Sequence, residues 1–277
     1  MEKITSVNND RVKRVVKIMS SPKERKYSGK YIVEGLRMVR EVKIDRLDTL
    51  FMTQQFFDKY VVKDPALLKL VNKAVDNQKS FIVSELVLRK LADTENPQGV
   101  VALVNMKEYT LDDIIKVKDG KPLILIVERL QDPGNMGTII RTAEGAGVTG
   151  ILVSYDSVDI YSPKVVRSTM GSIFRSKICI TYDLKGDIEK LKKAGITIFG
   201  MHLDGRSIYD EDLTAACAFL IGNEGAGLTE ETSAQTDKLL RIPMLGKVES
   251  LNAAASATIV SYEALRQRIA SSELFFL

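Results

Sequence analysis

Three short segments of this 277-residue chain carry the side chains best suited to chemistry. Asn135 and Arg141 lie in DPGNMGTIIRTAEGAG, Glu224 lies beside Gly222 in IGNEGAGL, and Ile242, Ser250, Leu251 and Asn252 lie in IPMLGKVESLNAA. Each loop follows an apolar run that reads as a strand: LILIVE, ACAFLI and LLRIPM. In open α/β sheets the loops leaving the carboxyl ends of parallel strands converge with helix N-termini on one edge, where ligands bind. One shared pocket is the economical reading. Asn135, Arg141, Glu224, Ser250 and Asn252 supply its polar groups, while Gly222, Ile242 and Leu251 supply close backbone approach and an apolar wall. Taken singly, each polar residue has a plainer role, since asparagines cap helices, Ser250 can close a turn and Glu224 can open a helix.

The literal GxGxxG at Gly145, Gly147 and Gly150 points elsewhere. A dinucleotide fingerprint follows a strand and opens a helix. Here the glycines follow the helical MGTIIRTAE and precede the strand GILVS, so they end a helix and turn the chain. That order disfavours a nicotinamide oxidoreductase. Gly134 and Gly137 do lie between strand and helix, but no GK[ST] accompanies them, which argues against a nucleoside-triphosphate loop. Cys179 and Cys217 sit in apolar strand-like runs and, with the single histidine His202, cannot assemble a zinc site. They read as structural cysteines, and no metal is expected.

The elements that must position these loops alternate α and β from end to end. YIVEG, LDTLFMT, SFIVS and VVALVNM read as strands, separated by helix-like LRMVREV and ELVLRKLA, forming a small α/β domain over residues 1–106. A polar linker over 107–117 leads to a second domain, 118–277. Its strands GILVS, KICIT and ITIFGM join the three above in a parallel sheet buried on both faces. A final helix runs from near Asn252. Basic charge gathers at the front: residues 1–40 hold 11 Lys and Arg against 4 Asp and Glu, in a chain of net charge +4. Asn8 or Asn9 caps a helix whose apolar stripe is Val12, Val15, Val16 and Met19. Lys13 and Arg14 outside that stripe, with Lys23 and Lys26 in SPKERKYSGKY, form a surface for RNA phosphates, with Tyr27 and Tyr31 as stacking faces. The plainer reading is a solvated face. No apolar run reaches the roughly 18 residues of a membrane helix and MEKITSVNND is unlike a signal peptide, so a cytoplasmic protein is expected.

The three segments DPGNMGTIIRTAEGAG, IGNEGAGL and IPMLGKVESLNAAASA resemble, in order and spacing over residues 122–268, the motifs of the SpoU-type RNA ribose 2′-O-methyltransferases of the SPOUT superfamily. KYIVEGLRMVREV is similar to the small RNA-binding domain that precedes the catalytic domain in many members. Ala254 stands where some members have serine, so that position supplies no hydroxyl. The resemblance implies a parallel-sheet catalytic domain with a deep trefoil knot near its C-terminus, a topology that general chain rules treat as an exception. It also implies a homodimer that binds S-adenosylmethionine in the knot and completes its RNA site from both subunits. Gly222, Ile242 and Leu251 would hold the methyl donor, largely through the main chain.

The family assigns the arginine matching Arg141 to activating the hydroxyl. A guanidinium stays protonated in proteins, so Arg141 is better suited to orient the adjacent phosphate and stabilise the developing alkoxide. Asn135 and Glu224 would shape the site and orient Arg141, and Ser250 and Asn252 would complete it. Ribosomal RNA is favoured over transfer RNA, because the extra N-terminal domain suits a structured target. A non-catalytic RNA-binding or ribosome-assembly protein would explain the basic N-terminus but not three assembled motifs. A methyltransferase that confers antibiotic resistance stays within the same reading.

Overall fold

Residues 1–271 are described by a computed structural model, which divides into two units: Met1–Lys107 with Asp159–Phe174, and Glu108–Val158 with the chain from Arg175 onward. The stretch 272–277, included above in the second domain, lies outside the described residues.

The first unit runs β1 (Glu2–Ile4), α1 (Asp10–Ser20), α2 (Pro22–Ser28), β2 (Lys30–Glu34), α3 (Leu36–Arg40), β3 (Leu47–Met52), α4 (Gln54–Phe56), α5 (Pro65–Asp76), β4 (Ser80–Val83), α6 (Glu85–Leu91) and β5 (Val100–Asn105). Its sheet has the order β1-β4-β3-β5-β2, with β5 antiparallel to both its neighbours. Asn9 caps α1 by accepting from the Arg11 N–H at 2.9 Å. The helix buries Val12, Val15 and Ile18, while Val16 and Met19 pack half-buried against the same core, so the buried stripe is rotated from the expected one.

Two residues of the basic segment belong to the interior rather than to a surface. Arg25 is only 3% exposed, and its guanidinium donates to Asp159 at 2.7 Å and to the carbonyls of Ile18 and Met19 at 2.9 and 2.7 Å. Tyr31 is fully buried against Tyr161, with ring centroids 4.8 Å apart, and therefore offers no stacking face to a ligand. Burial raises its phenol pKa above the ordinary value, because the anion would lose its hydration. Tyr27, by contrast, is exposed.

The second unit holds α7 (Leu111–Ile115), β6 (Leu123–Val127), α8 (Pro133–Gly145), β7 (Gly150–Ser154), β8 (Ile178–Thr181), α10 (Leu184–Lys193), β9 (Thr197–Ser207), β10 (Cys217–Ile221), α11 (Glu230–Ser233), β11 (Lys238–Arg241) and α12 (Ala253–Ser271). Helix α9 (Pro163–Ser168), between β7 and β8, belongs to the first unit and packs on β2. The sheet order is β11-β9-β10-β6-β7-β8 and every pairing is parallel. β6, β7 and β10 are buried along their whole length, as continuous apolar runs between two helical layers must be.

The stretch 107–117 holds α7, opened by a Thr110–Asp113 capping box, with Ile114 buried. A Cβ at Gly150 would fall 2.3 Å from the Ile114 Cβ, so this glycine admits α7 against β7. Gly145 ends α8 and Gly147 turns the chain at φ +70°. The GxGxxG is thus a helix exit and a packing notch.

A candidate active site at the carboxyl edge of the parallel sheet

β6 and β10 are adjacent, so the segments that follow them leave the same edge side by side. After β6 the chain enters α8, with Pro133 in the first turn and the Asp132 carboxylate accepting from the Asn135 N–H at 2.7 Å. After β10 comes the loop Gly222–Leu228, which folds back on itself. Asn223 and Gly227 exchange backbone hydrogen bonds of 2.9 and 3.0 Å. The Asn223 side chain accepts from the N–H groups of Gly225 and Ala226 at 2.9 and 3.0 Å. A Cβ at Gly222 would lie 2.3 Å from the Gly227 carbonyl carbon. Close backbone approach does require this glycine, but the backbone that approaches belongs to its own loop.

The three segments are joined through polar side chains. Asn252 caps α12, accepting from Ala254 N–H at 2.9 Å and Ala255 N–H at 3.2 Å, and donates its amide to Asn135 Oδ1 at 2.9 Å. Asn135 in turn donates to Glu224 Oε1 at 3.2 Å. Glu224 also accepts from the backbone N–H groups of Asp132 at 2.9 Å and Gln131 at 3.2 Å. Burial pushes the Glu224 carboxyl up, but donation from the N–H groups of Asp132 and of Glu224 itself, the Asn135 amide and the Gln131 N–H outweighs it, and its pKa sits below the ordinary value. Asn252 thereby caps a helix and orients a neighbour, while the Asn135 amide is spent wholly on linking Asn252 to Glu224.

Beside this relay lies a cavity of about 330 Å³ whose wall includes Gly222, Leu228, Leu240, Ile242, Met244 and Leu251. Ser250 and Glu224 stand on its rim. The volume lies at the lower end of the range for small-molecule sites, roughly 300–1,000 Å³. Its apolar side chains, with main-chain groups of the folded-back Gly222–Leu228 loop and of the segment 242–251 beside them, suit a ligand with an apolar body and polar edges. Beneath the wall, Glu128 at the end of β6 is only 3% exposed and accepts from the Thr229 N–H at 3.1 Å and from the hydroxyls of Thr229 and Thr232, both at 2.8 Å. It thus anchors the far end of the Gly222–Leu228 loop. The sequence reading missed this residue, whose only local signal is an acid ending an apolar strand.

Not every expected residue joins the cluster. Arg141 is exposed on α8 and lies outside the cavity lining, and its side chain has no hydrogen-bond or ion-pair partner among the described residues; Asn135 and Glu224 bond to each other rather than to it. Ser250 is exposed on the rim. In the first unit, Lys13 and Arg14 on α1 and Lys23 and Lys26 on α2 are all exposed. Among the described residues no cluster of His, Cys, Asp and Glu could hold a metal ion, and no helix is long and apolar enough to cross a membrane.

Comparison with known proteins places this geometry in company. Residues 122–262 match the SpoU rRNA Methylase family, and residues 9–102 match the MRM3-like substrate binding domain. The 23S rRNA (guanosine(2553)-2′-O)-methyltransferase RlmP of Bacillus subtilis is 30% identical over 263 residues, covering 95% of this chain and 98% of that protein. A 23S rRNA (uridine(2479)-2′-O)-methyltransferase of Streptomyces viridochromogenes is 36% identical over 204 residues, covering 71% and 70%. Among solved structures, the AdoMet-bound rRNA methyltransferase from Sinorhizobium meliloti superposes with a TM-score of 0.83 at 29% identity, over 96% of this chain and 97% of that one.

Proposed function

The chain belongs to the SpoU rRNA methylase family, and from that premise we propose that it transfers a methyl group from S-adenosylmethionine to a ribose 2′-hydroxyl of ribosomal RNA. The observation that carries the reading is the Asn252–Asn135–Glu224 relay, which ties the three sheet-edge segments together at the mouth of the apolar cavity.

When bound there, S-adenosylmethionine would supply an electrophilic sulfonium methyl, which the ribose 2′-oxygen would take in line as the methyl–sulfur bond breaks, with S-adenosylhomocysteine leaving and the hydroxyl proton passing to water or another acceptor. Gly222, Ile242 and Leu251, which line the cavity, would hold this donor, chiefly through main-chain groups, since an apolar Ile242 side chain offers no hydrogen bond. Fixing donor and hydroxyl against each other can contribute about 7–11 kcal/mol towards the barrier. Asn135, Glu224 and Asn252 keep the walls in register, and Ser250 faces the rim where RNA must enter. Arg141 stays protonated, orients a phosphate and stabilises the alkoxide as it develops. Its exposed place outside the cavity lining supports a site completed by a second copy of the chain, as a homodimer. The loop after β10 and the segment 242–252 wall one cavity, which fits the threaded crossing of a trefoil knot. The exposed Lys13, Arg14, Lys23 and Lys26 bind phosphates, in keeping with the substrate-binding match over the first unit. The protein works in the cytoplasm.

Mapping 2′-O-methyl sites in total RNA from cells lacking and restored for this gene tests the proposal directly. One ribosomal position should lose and regain its methyl group. A transfer RNA position responding instead would overturn the ribosomal target, and no response in any RNA would overturn the enzymatic reading.

A further inference from the structure

Tyr155 and Tyr182 are the first residues past β7 and β8, whose ends Ser154 and Thr181 pair in the sheet. They stack on each other, with ring centroids 5.3 Å apart and planes 23° from parallel, yet they are 62% and 64% exposed. Two large rings stacked on each other in water at the ligand-binding edge of a parallel sheet form a short aromatic stack that a further flat ring can extend, rather than a core contact. The loop beneath it is fixed. Ser154 Oγ accepts from the Arg129 N–H at 2.8 Å and donates to Asp156 Oδ1 at 2.6 Å. Gln131 connects this loop to the candidate active site, because its backbone N–H donates to Glu224 while its side-chain amide donates to the Asp156 carbonyl at 2.9 Å.

We infer that Tyr155 and Tyr182 form a stacking subsite for an unpaired RNA base flanking the nucleotide that is methylated. The inference rests on the proposed activity, which brings RNA to this edge. Across neighbouring strands spaced about 4.8 Å apart, β7 and β8 lie two and three steps from β10, or roughly 10–15 Å. That offset is too large for the ribose being methylated and suits a base further along the strand. Sequence-specific readers of RNA take unstacked bases from loops and bulges and lay them on aromatic faces, so such a platform holds the RNA open without phosphate contacts. Stacking accepts any base, so it contributes affinity and register rather than sequence choice.

The test compares the parent, a Tyr155→Leu/Tyr182→Leu double variant and a Tyr155→Phe/Tyr182→Phe double variant for binding to 23S rRNA transcribed in vitro, over a range of salt. Both variants change exposed side chains, and thermal melting checks that they fold. The leucine variant should bind RNA about 5- to 150-fold more weakly, the span for losing one stacked base. Its salt slope and its affinity for S-adenosylmethionine should match the parent's, and the phenylalanine variant should bind RNA like the parent. Affinity within twofold of the parent for the leucine variant would overturn the inference. So would an equal loss in the phenylalanine variant, which would make the hydroxyls the contact. A weakened dimer with RNA affinity intact would make the pair a contact between copies and overturn it likewise. If the parent itself binds donor but no RNA, the proposed function falls, and the inference with it.

Discussion

Replacing Gly222 by alanine should damage donor binding through the protein's own loop. The added Cβ would lie 2.3 Å from the Gly227 carbonyl carbon and 2.5 Å from the Leu228 nitrogen, both main-chain atoms that cannot rotate away. Bringing the first contact to an ordinary distance of 3.4 Å needs a shift of about 1 Å (3.4 less 2.3), which separates the strand-like pair Asn223–Gly227 and its two backbone hydrogen bonds. At about 0.5–1.5 kcal/mol net for each bond, the loop loses about 1–3 kcal/mol, or about 5- to 150-fold in affinity if the bound form needs it closed. Gly225 in the same loop is the control, because a Cβ there would meet only the Asn223 carboxamide oxygen at 3.6 Å. Calorimetric titration with S-adenosylmethionine should show Gly222→Ala weakened over that span and Gly225→Ala near the parent. Equal affinities for all three proteins would refute the argument that this folded-back loop forms the donor wall.

Arg141→Ala should lower single-turnover methyl transfer by about 10²-fold or more, with Arg141→Lys recovering only part and donor affinity nearly unchanged; parental rates would remove Arg141 from the mechanism. Reversing the charge of Lys13, Arg14, Lys23 and Lys26 should weaken RNA binding and flatten its salt dependence by roughly 0.7 per lost phosphate contact on single strands, measured by filter binding; an unchanged slope would make this face merely solvated. The depressed pKa of Glu224 gives a signed expectation. Its carboxylate contributes stability that is fully present above the ordinary value of 4.5 and is lost as pH falls through the lower folded value. The gap in urea midpoint between the parent and Glu224→Gln should therefore narrow on acidification below that point, and a gap constant with pH would refute the assignment.

The second unit was largely legible because its central strands are continuous apolar runs, which only a sheet covered on both faces explains. The loops after β6 and β10 were legible because each sits directly after such a run, whereas β11, which precedes the third, is an edge strand with only Leu240 buried. Less visible were features that depend on distant partners. Arg25 looked like one more cation in a basic stretch, and only an acid 134 positions away reveals it as buried. Glu128 meets Thr229 and Thr232 across 101 and 104 positions. β1 has three residues and one buried side chain, Ile4, too little pattern for any period to register. β9 runs to Ser207, well past its apolar start, because β11 pairs with its polar end across a register shift. Arg141 shows how little a segment says of a side chain's surroundings, since it belongs to a pocket-forming segment while the folded chain leaves its side chain exposed and outside the cavity lining.

The assignment of Asp159–Phe174 to the first unit bears on how the chain is made. The N-terminal sheet is complete by Asn105, but the counter-charge of the buried Arg25 arrives only with Asp159. A nascent chain halted between the two would hold a guanidinium against two carbonyls and no carboxylate, and breaking such a buried pair costs about 3–5 kcal/mol. At 5–20 residues per second the ribosome needs roughly 3–13 s to pass from Lys107 to Phe174. During that interval the N-terminal sheet lacks Asp159–Phe174 and Arg25 lacks its carboxylate, and a gene fragment that stops at Lys107 would lack both throughout.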